Sequence, residues 1–239
     1  MQTLDELLVL APQIIKELAS EFVRRGDECM GKDKTSQSTA CFLLGLRAIS
    51  ILTAMGLLLK PSTRDSYDVL TRSFMESRDL LLTFRFDNKD IRRQIELWFK
   101  GTTENSWKPR HKICDAFIKN LGAGDAELSK RWSVFSVLTH PTYHAATSSA
   151  ALTVSWVTAR IKTEDFEAAM EPKIADYLVS TSTLIVVATF EFKEWIPLGC
   201  DLNRMPNVEP FRLAVAKITK PLLDKTKNIS LPPGSYRSS

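Results

Sequence analysis

Residues 41–59 read CFLLGLRAISILTAMGLLL, and together with Ala40 they are apolar on every side of a helix, with Arg47 as the single charge. A stretch of this length matches the ~20 residues that cross a bilayer. Arg47 argues for a soluble core instead, because an arginine at mid-span costs about 2.5–3.5 kcal/mol on insertion scales. The small residues Ala48, Ser50, Ala54 and Gly56 also suit close packing against neighbouring helices. We therefore read 40–59 as the central helix of a bundle.

Working outward, Pro61 stops that helix, and Ser62 with Asp65 three residues later resembles a capping box for the next one. A helix from Thr63 to about Phe86 carries Leu70, Phe74, Leu81 and Phe84 on one stripe, with a polar opposite face. IRRQIELWFK, residues 91–100, forms a short amphipathic helix that Gly101 terminates. Upstream, Leu4 to Arg25 is an amphipathic helix interrupted or kinked near Pro12, and 26–39 is a polar loop ending in an N-cap at Ser36 or Ser38.

Downstream, ICDAFIKNL and AELSKRWSVFSVL read as helices, the second capped by Asp125. THPTYH, residues 139–144, is a corner, because Pro141 biases His140 away from helix. The segment 151–161 is rich in Val, Thr and Trp, so a minor strand competes there with helix. Thr163 begins a long, mostly buried helix that Pro172 starts afresh or kinks, and Val208 to about Thr226 forms the last one. The expected fold is all-α, a bundle of seven to nine helices in one domain over 1–227, with 228–239 as a flexible tail.

The 239 residues are 44% hydrophobic and 25% charged, which excludes collagen-like and wholly disordered chains. Lys and Arg total 32 against 28 Asp and Glu, and a net charge of +4 is too mild to announce a nucleic-acid partner without a clustered patch. Basic residues near Trp98 and Trp107, among them Arg92, Arg93, Lys108, Arg110, Lys112, Lys130 and Arg131, form either an RNA-facing surface or ordinary solvating charge. Cys29, Cys41, Cys114 and Cys200 form no CxxC pair and read as reduced thiols. Asp5 and Glu6 stand where a secretory leader carries positive charge, so a cytoplasmic, prokaryotic protein outside the membrane is expected.

No GxxxxGK[ST], GxSxG or HExxH pattern is present in the sequence. His140 and His144 have metal-ligand spacing, but Pro141 lies between them and no nearby carboxylate completes a set, so no metal or other cofactor is expected. His140 suits proton transfer at neutral pH. Asp68, Arg72, Glu76 and Asp79 form a charge ladder on one helix face. A covered ladder would offer Glu76 to a buried Arg47, because an unpaired buried guanidinium is costly. Arg47, Arg72, Glu76 and His140, with Tyr143 and His144 in the same corner, make the candidate ligand-binding set. Within it, His140, Arg72 and Glu76 are the catalytic candidates.

TRSFMESRDLLLTFRF, residues 71–86, followed by LSKRWSVFSVLTHPTYHA, residues 128–145, resembles uncharacterised bacterial all-helical proteins related to the HEPN superfamily. In that pattern an R-x-x-x-E helix, here Arg72 to Glu76, precedes a helix ending near a histidine, here His140. HEPN ribonucleases place four to six residues between their Arg and His, whereas Arg131 and His140 have eight between them. Two functions follow as expectations. The first is a non-catalytic helical interaction or ligand-sensing protein of bacterial stress or phage defence, with RNA, a protein or a second copy of itself as partner. The alternative is a metal-independent HEPN-like ribonuclease.

Overall fold

The computed structural model describes residues 3–30, 33–59, 64–85, 89–101, 114, 163–189 and 200–226. Over these residues it is all helical: α1 (Leu4–Arg24), α2 (Gly26–Met30), α3 (Gln37–Leu57), α4 (Arg64–Arg85), α5 (Lys89–Phe99), α6 (Thr163–Thr189) and α7 (Val208–Thr226), with a 3-10 turn at Leu202–Arg204. The corner at 139–144, the segment 151–161 and the tail 228–239 lie outside the described residues, as do the two helices read between 113 and 138, apart from Cys114.

Local chemistry accounts for the helix ends. Thr3 caps α1 in a reciprocal box, accepting from the Glu6 amide while the Glu6 carboxylate accepts from the Thr3 amide. Ser36 caps α3 by accepting from the Thr39 amide at 3.1 Å. Gly101 follows α5 at φ 64°, a left-handed conformation that glycine adopts without steric cost. Two local expectations need correction. α1 is not interrupted at Pro12, which faces solvent, where water can serve the carbonyl left without an amide partner. Part of the expected 26–39 loop is the short helix α2, begun by the Cys29 amide donating to the Arg25 carbonyl at 2.9 Å.

α3 contacts α1, α2, α4, α5 and α6, and α6 contacts α1, α3, α4 and α7. One hydrophobic cluster runs through them, from Leu7 and Leu18 of α1 through Leu52, Phe74 and Val187 to Val215 of α7. The two apolar helices differ in enclosure. α6 is buried on all sides from 175 to 188, whereas α3 has an outward stripe of Leu43, Arg47, Ser50, Thr53 and Leu57. Among the described residues, α3 is the one helix long and apolar enough to cross a membrane.

α1 packs tightly on α3 at Gly45. A Cβ there would lie 2.2 Å from Cε1 of Phe22, a buried ring that stacks on Phe42 with centroids 6.2 Å apart. Gly45→Ala is therefore expected to destabilise by about 1–3 kcal/mol despite alanine's better helix propensity. Thermal unfolding checks this, and adding Phe22→Leu, which removes the obstructing ring atoms, should bring the loss below the sum of the single changes.

Candidate functional site

Of the predicted ligand set, the structure describes Arg47, Arg72 and Glu76. Arg47 is exposed, and its Nε donates to Ser77 Oγ at 3.2 Å instead of meeting Glu76. Glu76 pairs loosely with Arg72, Nε to Oε1 at 3.6 Å, with the two side chains 25% (Arg72) and 48% (Glu76) exposed. The reason is rotational: neighbouring residues on a helix differ by about 100°, so the edge of α4 that presents Ser77 to α3 turns Glu76 toward solvent. His140, Tyr143 and His144 fall outside the described residues. With Arg47 exposed, Arg47→Leu should lower stability by less than about 1 kcal/mol, the worth of one neutral-acceptor hydrogen bond, as read by urea unfolding.

The buried polar chemistry lies elsewhere on α4. Arg78, Asp79 and Arg85 are each 0% exposed, and residues 77–85 are buried without interruption. Arg78 and Arg85 follow Tyr67, Thr71, Phe74 and Leu81 at spacings of three and four, so they stand on the core-facing stripe itself. Arg78 Nε donates to Asp79 Oδ1 at 2.7 Å, with its Nη2 2.6 Å from the same oxygen. Arg85 Nη1 donates to the Val187 carbonyl of α6. Cys114 reaches the same helix, its thiol donating to the Asp79 carbonyl at 3.5 Å.

A second knot joins the other end of α4 to α6. Lys173 pairs with Asp68, and the Tyr67 hydroxyl donates to the Lys173 carbonyl at 3.0 Å and lies 3.5 Å from Asp176 Oδ2. The Lys173 ammonium also sits 5.4 Å from the Tyr67 ring centre, within reach of a cation–π attraction. Burial, reinforced by the Asp176 carboxylate, pushes the Tyr67 hydroxyl well above the usual tyrosine range. The buried hydroxyls between these knots are satisfied within their own helices: Thr71 donates to the Tyr67 carbonyl, Thr83 to that of Asp79 and Thr181 to that of Tyr177, each four residues back. Such back-bonding lets threonine enter a core without a cross-helix partner.

This arrangement holds α4 against α6. Elsewhere in the core, Cys41 and Cys200 are not activated nucleophiles, since a reactive thiol needs a depressed pKa and desolvation pushes both up to about 12. Among the described residues no group of three or more His, Cys, Asp and Glu is placed to hold a metal ion.

The thiols impose a pH dependence. Their folded pKa values lie above the ordinary 9.0, so the stability that goes with the neutral thiols is complete below about pH 9 and declines as pH rises toward 12. At about pH 10 the loss is on the order of 1 kcal/mol for each of the two thiols. Cys41→Ala should therefore flatten the fall in urea midpoint between about pH 8 and about pH 10, compared with the unchanged chain.

The sequence reading missed Arg78 and Arg85, although their spacing from Phe74 and Leu81 carried the signal. No protein-family model, curated protein or solved structure matches this chain.

Proposed function

We propose that the protein is a non-catalytic helical interaction or ligand-sensing protein, working in the cytoplasm of a bacterium in stress or phage defence. The observation that carries this reading is the use of buried polar groups on α4 and α6 as internal ties: Arg78 on Asp79, Arg85 on the Val187 carbonyl, Lys173 on Asp68 and Tyr67 on the Lys173 carbonyl. Groups spent in this way fix the geometry of a scaffold. Proton transfer near neutral pH is further disfavoured where burial raises Tyr67, Cys41 and Cys200.

The alternative, a metal-independent HEPN-like ribonuclease, is favoured by one observation, the Arg72–Glu76 pair at the half-exposed face of α4, which matches the R-x-x-x-E helix of the resemblance. In that reading an arginine and His140 act around the 2′-hydroxyl and the scissile phosphate. Incubating the protein with structured and single-stranded RNA and with nucleotides, in the presence of a chelator, separates the two. Absence of turnover together with saturable binding supports the first reading. Cleavage that His140→Ala abolishes, in a variant that still folds, overturns it in favour of the ribonuclease.

A further inference from the structure

We propose that the outward face of α3, flanked by the exposed stripe of α4 that carries Val69 and Glu76, docks a second copy of this chain in a two-fold dimer. This goes beyond the function proposed above and does not depend on it. α3 is apolar all round, yet the described helices cover only its inward positions. Leu43 is 38% exposed and Leu57 72% exposed, and Arg47, Ser50 and Thr53 lie between them at the surface. These five positions fall within about 120° of arc on the helix. A face left to water normally carries charge at several positions along such a length, whereas this one carries Arg47 alone.

The pattern on the face is its own complement. Leu43 and Leu57 are each seven residues from Ser50. Antiparallel pairing about a two-fold axis at Ser50 would set Leu43 against Leu57 of the partner subunit at both ends, with small side chains at the centre to let the helices approach. Charge follows the same symmetry. Arg47 is held by the neutral Ser77, and Glu76 on neighbouring α4 is half-exposed with Arg72 at 3.6 Å. Two copies related by a two-fold axis would exchange these opposite charges, Arg47 of each turning toward Glu76 of the partner subunit. Val69 of α4, 47% exposed, stands seven residues before Glu76 and so on the same stripe of that helix. A lipid occupant fits less well, since Arg72 and Glu76 flank the leucines and charge in hydrocarbon is costly.

Sedimentation equilibrium of the full chain across the micromolar range tests this. The expected mass is twice 27.0 kDa. Leu43→Glu/Leu57→Glu should be monomeric with an unchanged circular dichroism spectrum. Arg47→Glu should raise the dissociation constant at least about tenfold, and Arg47→Glu/Glu76→Arg should restore most of that loss. Should the leucine variant fail to fold, Ser50→Cys decides: its new thiol at the axis should form a covalent dimer under mild oxidation, while the native chain, whose cysteines are all buried, should not. A monomer at every concentration with no cross-link in Ser50→Cys would overturn the proposal, as would a complex with a different protein through this face in place of self-association.

Discussion

Replacing Arg78 with leucine is expected to destabilise the protein by about 3–5 kcal/mol, and Asp79→Leu by a similar amount. Both side chains are 0% exposed and bound to each other through Arg78 Nε and Nη2. Removing one partner leaves a charge in a site that water does not reach, and this desolvation, more than the lost attraction, sets the size of the effect. The double variant Arg78→Leu/Asp79→Leu should lose less than the sum of the single changes, with a coupling of at least about 1 kcal/mol. Urea unfolding of the four chains measures that coupling. Strict additivity would show that the two groups act independently despite their geometry.

The second large effect concerns the ring beside this pair. Phe74 is fully buried, with the Arg78 guanidinium carbon 6.0 Å from its centre. Phe74→Ala is expected to cost about 3–5 kcal/mol, combining lost apolar transfer with a cavity that the surrounding core cannot fully collapse. Phe74→Leu keeps most of the volume and should lose clearly less, in the same denaturant experiment. Equal losses from alanine and leucine would assign the effect to the contact between ring and guanidinium instead of to packing.

The first of these effects lies where the sequence was hardest to read, whereas Phe74 was already placed on the core stripe. Helix positions were legible because they depend on local chemistry: the Ser36 cap, the Gly101 stop, the start at Thr163 and the limits of Val208–Thr226 all agree with the structure. Facing was less legible. α3 and α6 both look apolar all round, but enclosure depends on how many neighbours the bundle supplies, and only α6 is covered on every side from 175 to 188. Arg47 drew attention as a lone charge in an apolar run, yet it sits on the exposed side of α3, which no other described helix covers.

Arg78 and Arg85 show the converse. In a stretch reading SRDLLLTFR they pass as members of a polar face, while their spacing from Phe74 and Leu81 places them on the buried stripe. Arginine enters a core when carbonyl and carboxylate acceptors meet its donors. Those acceptors come from long-range packing: the Val187 carbonyl lies 102 residues away in the chain. No local pattern announces such a partner. The Asp68, Arg72, Glu76 and Asp79 ladder was divided in the same way, with Asp68 and Asp79 buried and Arg72 and Glu76 left at the surface.

The central claim is that the guanidinium groups of α4 are enclosed structural ties and do not line an open site. Proton exchange at arginine Nε, followed by NMR on a chain labelled with nitrogen-15 at arginine, tests it most directly. Arg78 and Arg85 should give Nε–H signals protected from solvent exchange and unmoved by added RNA or nucleotides, while Arg93, exposed on α5, exchanges quickly. Fast exchange at Arg78 and Arg85, or a shift of their signals on adding such a ligand, would contradict the account and identify the α4–α6 seam as an accessible binding site.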